Sequence, residues 1–171
     1  MKKILLTYCL CLLSGLLNAQ QPFITTWQVD STDLDIGIPA NAAAAIYSYT
    51  VDFGDGTIVN NLTDSITHTY AAPGVYTVTI SGTFPKVDWT NVNGLNRRQL
   101  LTIQQWGDIV WQDMQGAFAY CLNLRIPATD TPNLSMVTNM TAMFRGDTSL
   151  NDPIGHWDVS NITHMQFLFE E

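Results

Sequence analysis

The chain has 171 residues, enough for one ordinary domain or two small ones. With 7 basic against 15 acidic residues, its formal net charge is −8. Such an acidic chain lacks the basic patches that nucleic acids and anionic membrane surfaces require, so we expect neither as a partner.

The first 19 residues have the pattern of a secretory signal peptide. Lys2 and Lys3 supply a positive start, the apolar stretch 4–17 is too short to span a bilayer, and Ala19 is a small residue before the cut. A membrane anchor is the weaker alternative because of that length, and no later segment is apolar enough to span. Cleavage removes Lys2 and Lys3, leaving 5 basic against 15 acidic residues, so the net charge becomes about −10. We therefore expect a secreted or cell-surface protein without a membrane span.

Removal of the signal leaves one cysteine, Cys121, so no internal disulfide is expected and stability must come from packing. A lone cysteine of this kind is more often a small buried hydrophobe than a reactive thiol.

Short alternating strands with turns between them predict a β-sandwich over residues 20–83. Apolar side chains occupy every second position of each strand, and Gly, Pro, Asp and Ser cluster in the turns. The predicted strands are 23–29, 34–38, 47–53 and 75–80, and the predicted turns are 30–33, 54–56 and 71–74.

Two motifs of this region resemble those of the polycystic-kidney-disease (PKD) domain. The first is Asp52-Phe-Gly-Asp-Gly-Thr57, and the second runs from His68-Thr-Tyr70 to Pro73-Gly-Val-Tyr-Thr-Val-Thr79. The resemblance implies an immunoglobulin-like sandwich of the kind found in extracellular proteins. It also implies that the Gly-Asp-Gly segment is a turn and that the Thr-Tyr pair opens a core strand.

Residues 84–107 are predicted to connect this sandwich to the rest of the chain. Asn91 to Gly94 has the composition of a turn, and Leu100, Leu101 and Ile103 form an apolar patch. We interpret the patch as a strand that joins the two regions.

A five-residue block recurs in the second half of the chain. Met140-Thr-Ala-Met-Phe144 returns at Met165 to Phe169, and an earlier copy begins at Met114. The apolar positions i, i+3 and i+4 are one face of a helical turn, and a period of about 25 residues is typical of stacked repeats. Residues 108–171 are therefore predicted to form a short α/β solenoid of the leucine-rich type, with Thr138 and Thr163 capping short helices.

This half resembles the surface repeat of BspA-like leucine-rich-repeat proteins. The similar segments are Ser149-Leu-Asn151 and Trp157 to Phe169. The resemblance implies a bacterial surface protein that adheres to proteins or glycans. The last repeat breaks off at Glu171, where such repeats continue, so we expect the chain to be truncated at its carboxyl end.

The acidic residues offer two candidate sites, and for each we prefer the interpretation that the carboxylates serve turns. Asp52 and Asp55 are a carboxylate pair of the type that hydrolyses glycosides, but they flank a glycine turn that needs such side chains. Asp30, Asp33 and Asp35 supply oxygens for calcium, but their spacing does not match an EF-hand loop. We therefore predict no catalytic, cofactor-binding or metal-binding residue.

The histidines and tryptophans are weighed in the same way. His68 is expected to be packed, His156 and His164 fall in repeat segments, and His164 is expected on the outside. An exposed tryptophan can anchor a partner, so four tryptophans are candidate binding residues. Trp157 is expected to be half exposed, but we prefer burial in the core for all four. Those four are Trp89, Trp106, Trp111 and Trp157.

The sequence thus favours a non-catalytic surface or secreted protein that binds a protein or glycan through its repeats. The alternative is an accessory binding region of a larger secreted hydrolase whose catalytic domain lies elsewhere, because PKD-like domains often accompany such enzymes.

Overall fold

The computed structural model describes residues 20–94 and 96–171. The predicted signal peptide therefore lies outside the described residues. The described part is mainly β, with one 3₁₀ turn at Trp89–Asn91 and one short helix, α1, at Asn96–Gln99. The strands are β1 Phe23–Val29, β2 Asp35–Ile38, β3 Ser48–Asp52, β4 Ile58–Leu62, β5 Ile66–Thr69, β6 Gly74–Thr83 and β7 Leu100–Gln105.

Two antiparallel sheets form the predicted sandwich. The larger sheet has the strand order β4-β3-β6-β1-β7, and the smaller one pairs β2 with β5. β1 and β6 pair over the whole length of β1, from Phe23 opposite Ile80 to Val29 opposite Gly74. Alternate residues of β1 are buried, as a strand with one face on the core requires.

The turn after β3 depends on one glycine. Gly54 has a φ of +75°, and a Cβ at this position would lie 2.3 Å from the carbonyl oxygen of Thr77 on β6. Only glycine fits there, because the left-handed conformation and the close backbone approach both exclude a side chain. The turn sends the chain into β4, which the sequence analysis did not predict.

β4 lacks the apolar alternation that predicts a strand, because it is an edge strand. Its residues Ile58–Leu62 are exposed or half-buried, and Asn60 and Asn61 interrupt any apolar alternation. The implied role of the Thr-Tyr pair is also wrong, since Thr69 ends β5 and Tyr70 follows it. The backbone N–H of Tyr70 donates to Leu34 O, which holds the buried ring at the end of the smaller sheet.

The segment predicted as a connection belongs to both regions. One edge of β7 pairs with β1 in the larger sheet. On its other edge Ile103 N donates to Arg125 O, and Arg125 N donates to Leu101 O. The predicted strand is confirmed, and it is shared by the sandwich and the repeats.

The repeats form stacked turns, so the predicted helices are wrong. In residues 106–171, all of which the structure describes, the backbone is turn, bend and isolated bridge. Parallel bridges join Val110 to Asn133 and Asn139 to His164. Residues 108–171 are called the repeat stack below.

One hydrophobic core runs through both regions. It extends from Ile36 and Phe53 in the sandwich through Trp106 to Met143 and Phe144 in the repeat stack. Because the buried residues form a single cluster, the two regions are expected to unfold together.

Candidate binding surfaces

The three recurring blocks lie one above the other as turns joined by backbone hydrogen bonds. In the first turn alternate N–H groups donate to the second turn, from Met114 N to Asn139 O through Tyr120 N to Arg145 O, at 2.6–3.2 Å. The second turn donates to the third in the same way. The intervening N–H groups close turns within the block, as Ala117 N does to Met114 O. The first and second blocks therefore each depend on the following block for about half of their donors.

This arrangement explains why the helical interpretation failed. In a right-handed helix every φ is negative and each N–H beyond the first turn donates within the helix, whereas here one residue of each block has a positive φ. The equivalent residues are Gly116 at +62°, Ala142 at +56° and Phe167 at +59°. Thr163, predicted as a helix cap, instead donates from its backbone N–H and its hydroxyl to Thr138 O on the turn before.

The Met and Phe side chains of the recurring blocks form the core of the stack. Phe144 stacks between Phe118, with ring centroids 5.9 Å apart, and Phe169, at 5.7 Å. Phe118 and Phe144 are buried, whereas the ring of Phe169 is 56% exposed on the third turn. The rings of the first two copies therefore belong to the core.

All four candidate tryptophans are buried, so none is an exposed anchor. Trp157, expected to be half exposed, retains only 7% exposure. Its ring meets that of Trp106 edge to face at 5.2 Å. Trp89 Nε1 donates to Ala117 O at 2.8 Å and so ties the segment before β7 to the first turn. The indole N–H groups of Trp106 and Trp111 have no hydrogen-bond partner in the described residues.

The two PKD-like motifs pack against each other. The ring of His68 stacks on Phe53 at 4.2 Å, and its Nε2 lies 2.8 Å from Asp55 Oδ2. The hydroxyl of Tyr70 donates to Phe53 O. His68 is thus packed and hydrogen bonded, as expected. Burial opposes ionisation of Asp55, but hydrogen bonds from Thr57 and His68 outweigh it and hold the pKa of this carboxyl below its usual value.

The other acidic candidates also serve turns. Asp52 Oδ1 accepts from Gly54 N, as the turn interpretation predicts. Asp30 Oδ1 accepts from the N–H groups of Thr32 and Asp33 and from the Thr32 hydroxyl. Among residues 20–94 and 96–171, no cluster of His, Cys, Asp and Glu is suited to hold a metal ion.

Cys121 and the repeat histidines lie where the sequence predicts. Cys121 is completely buried, and this burial raises the pKa of its thiol. His156 and His164 are exposed, and the carbonyl of His164 accepts from Met140 N.

The outer face of the repeat stack carries a polar ladder, formed by Gln115, Asn139, Thr141 and Gln166. Asn139 Nδ2 donates to Gln115 Oε1 at 3.0 Å, and Thr141 Oγ1 donates to Gln166 Oε1 at 3.0 Å. These bonds join side chains of successive turns and hold a polar surface in register. Tyr120, half exposed, lies at the end of the first turn.

A second surface is a cleft of about 500 Å³ where the first turn meets the segment before β7. Arg97 lines it, with its guanidinium 5.1 Å from the centre of the Trp89 ring. Arg97 Nη1 donates to Ala119 O. Lys86 lines the same cleft and pairs with Asp88 at 3.6 Å and with Asp113 at 3.0 Å. No motif or spacing in the sequence points to Arg97 or Lys86 as site residues, and their charge in an acidic chain is the only signal for them.

No helix in the described part of the chain combines the length and apolar character needed to cross a membrane. No curated protein and no solved structure matches the chain.

Two family models match the chain, one on each region. A model described as a PKD domain matches residues 24–83, which contain β2 to β6 and all of β1 except Phe23. A model described as a Mycoplasma protein of unknown function, DUF285, matches residues 93–171, and so begins before β7. The chain is therefore similar to PKD domains in its sandwich and to this Mycoplasma family in β7 and the repeat stack.

Proposed function

We propose that this chain is an exported, non-catalytic binding protein whose repeat stack recognises a protein or glycan on a cell or matrix surface. The polar ladder carries the proposal. Its side chains are bonded from turn to turn, so little conformational entropy remains to be lost when a partner binds. Extended repeat surfaces of this kind are typical of binding proteins.

The finer assignments belong to the same proposal. The 25-residue spacing supports BspA-like repeats of the leucine-rich type, with turns in place of helices. The signal-like start and the PKD match support a place outside the cell. Export is tested by amino-terminal sequencing of the protein from culture medium or cell surface, and we expect the mature chain to begin near Gln20.

The binding proposal is tested with purified protein on a glycan array and on wells coated with extracellular matrix proteins. Thr141→Arg places a long charged side chain in the polar ladder and is expected to lower binding by about tenfold. Thr67→Arg is the matched control, since Thr67 is exposed on β5 at a distance from the ladder. Equal binding by both variants and the unchanged protein would assign recognition to another surface.

A further inference from the structure

The cleft beside Trp89 holds a cation without an acidic partner. Arg125 pairs with Asp152 and Arg145 with Glu170, and Lys86 has two carboxylates. Arg97, which is half-buried, has no carboxylate within 4.0 Å among the described residues. A desolvated guanidinium without a counter-charge is costly, and an arriving anion removes that cost.

Most of the hydrogen-bonding capacity of Arg97 is free. Its one hydrogen bond to the described residues is the bond from Nη1 to Ala119 O, whereas a guanidinium has five N–H donors. The indole of Trp89 lies against the guanidinium and restricts its movement. The planar fork is therefore held in place beside the cleft, as bidentate binding of a carboxylate requires.

The other charged groups of the cleft limit how much negative charge a bound ligand carries. Lys86 faces two carboxylates, so Lys86, Asp88 and Asp113 together carry one net negative charge. Arg97, the cation without a carboxylate within 4.0 Å among the described residues, brings the sum to zero. A ligand with one carboxylate per residue pairs with Arg97 directly, whereas a densely sulfated polymer would bring further negative charges against the two aspartates and against an acidic protein.

The lining favours a sugar over a peptide. The large apolar side chain of the cleft, Trp89, is only 6% exposed, so the cleft has no open apolar pocket for a peptide side chain. Polar groups suited to hydroxyls surround it, namely exposed Thr90 and the Nε2 amide of Gln115. The bond from Asn139 to Gln115 Oε1 orients that amide and leaves its N–H donors available.

We propose that this cleft binds a carboxylate-bearing sugar residue, such as a uronic acid, with Arg97 as the carboxylate-binding group and Gln115 and Thr90 as hydroxyl-binding groups. This inference rests on the proposed binding function and adds a ligand class and a second surface to it.

The test is titration of the ¹⁵N-labelled protein with trigalacturonate, followed by the indole N–H resonance of Trp89. That resonance is assigned with a Trp89→Phe variant. Saturable shifts are expected with trigalacturonate, and neutral galactotriose is expected to bind roughly 10- to 100-fold more weakly because it lacks the charge-assisted pair. Arg97→Gln should lose the same factor. Arg98→Gln makes the same charge change on the exposed neighbour of Arg97 and should stay within about twofold.

If Arg97→Gln does not fold, Gln115→Ala serves in its place, because the side chain of Gln115 is exposed and its removal leaves no cavity in the core. An affinity loss of about threefold or more is expected from the missing hydrogen bonds. The proposal is overturned by the absence of saturable shifts, by equal binding of galactotriose, or by equal losses in the Arg97 and Arg98 variants. Tighter binding of an acidic peptide, acetyl-Ala-Glu-Ala-amide, overturns it in favour of peptide recognition. The two proposals fail separately. Loss of surface binding in Thr141→Arg, together with no response to trigalacturonate, would leave the ladder proposal standing while the sugar proposal fails.

Discussion

The sandwich and the repeat stack both bury apolar side chains in one core, but they satisfy their backbones differently. β1 pairs with β6 through seven consecutive residue pairs, so each strand has a continuous partner. Neighbouring turns of the stack meet at isolated bridges, and their N–H groups alternate between the same turn and the next one. Apolar spacing alone therefore does not distinguish a helix from a turn whose donors reach a neighbouring repeat.

The two regions therefore differ in where their backbone N–H donors find acceptors. A single turn of the stack leaves about half of its N–H donors without a partner inside that turn, so the first and second turns depend on the turn that follows them. Strands of the sandwich pair within their own sheet. Four substitutions test whether this contrast is real, and they are taken in order of expected effect.

The largest effect is expected from Phe144→Ala, which removes the ring between Phe118 and Phe169. A buried phenylalanine of this kind contributes about 3–5 kcal/mol to the free energy of unfolding. Phe169→Ala, the matched change on the exposed third turn, should cost about 1 kcal/mol or less. Urea denaturation followed by far-UV circular dichroism measures both. Because the core is continuous, Phe144→Ala should shift one transition; a second, unshifted transition would show that the sandwich folds without the stack.

In the sandwich, Tyr70→Phe should cost about 1–2 kcal/mol of unfolding free energy. The buried hydroxyl of Tyr70 donates to Phe53 O, and its loss leaves that carbonyl without the bond. Tyr76→Phe removes an exposed hydroxyl that donates to Ala72 O and should cost less than about 0.5 kcal/mol. Thermal melts of both variants measure this difference. Equal losses would mean that the junction of the two motifs is not a stabilising feature.

Asp152→Asn tests a charged contact of the repeat stack. Arg125 and the N–H of Ile126 donate to this carboxylate and hold its pKa low. Its contribution to stability is therefore present above the unfolded pKa of about 3.9 and is lost as pH falls through the folded pKa. We expect the variant to lose about 1 kcal/mol at pH 7 and to equal the unchanged protein at low pH. A difference that does not depend on pH would exclude the ion pair as its cause.

Asp147 provides the control of opposite sign. Burial raises the pKa of this carboxyl, so its ionisation opposes folding as pH rises from the unfolded pKa through the folded one. From low to neutral pH, the free energy of unfolding of Asp147→Asn should therefore rise relative to that of the unchanged protein, whereas that of Asp152→Asn should fall. Melts across this range measure both, and changes of the same sign would contradict the assignment.

The smallest effect is expected from Ala142→Gly, which should raise the unfolding free energy by about 0.5–1 kcal/mol. Ala142 has a positive φ of 56°, where the equivalent residue of the first turn is Gly116. Ala43→Gly is the control, because Ala43 is exposed and its φ is not positive. It should lose stability by about 0.4–1 kcal/mol through the added freedom of the unfolded chain. Destabilisation by Ala142→Gly would show that the turns tolerate side chains without strain.

The sequence was sufficient for the strands whose apolar residues alternate. β1, β3 and β6 follow patterns of period two, because one face of each lies on the core. β2 has the same apolar spacing, with Gly37 buried between its two isoleucines. It was insufficient for β4, whose edge position leaves little apolar signal. The period of about 25 residues predicted a stack, and the burial of Phe118 and Phe144 agrees with it.

What only the tertiary structure decided was where the donors and charges find partners. The turns of the stack are not helices because the carbonyls of the next repeat accept their N–H groups, a contact that no local pattern records. Likewise β7 joins two regions because both of its edges are paired. The cleft exists because the segments of Arg97 and Gln115, distant in sequence, fold beside Trp89. Apolar periodicity is a local property and can be read from the chain, whereas hydrogen-bond partners across 20 or more residues are set by the packed fold.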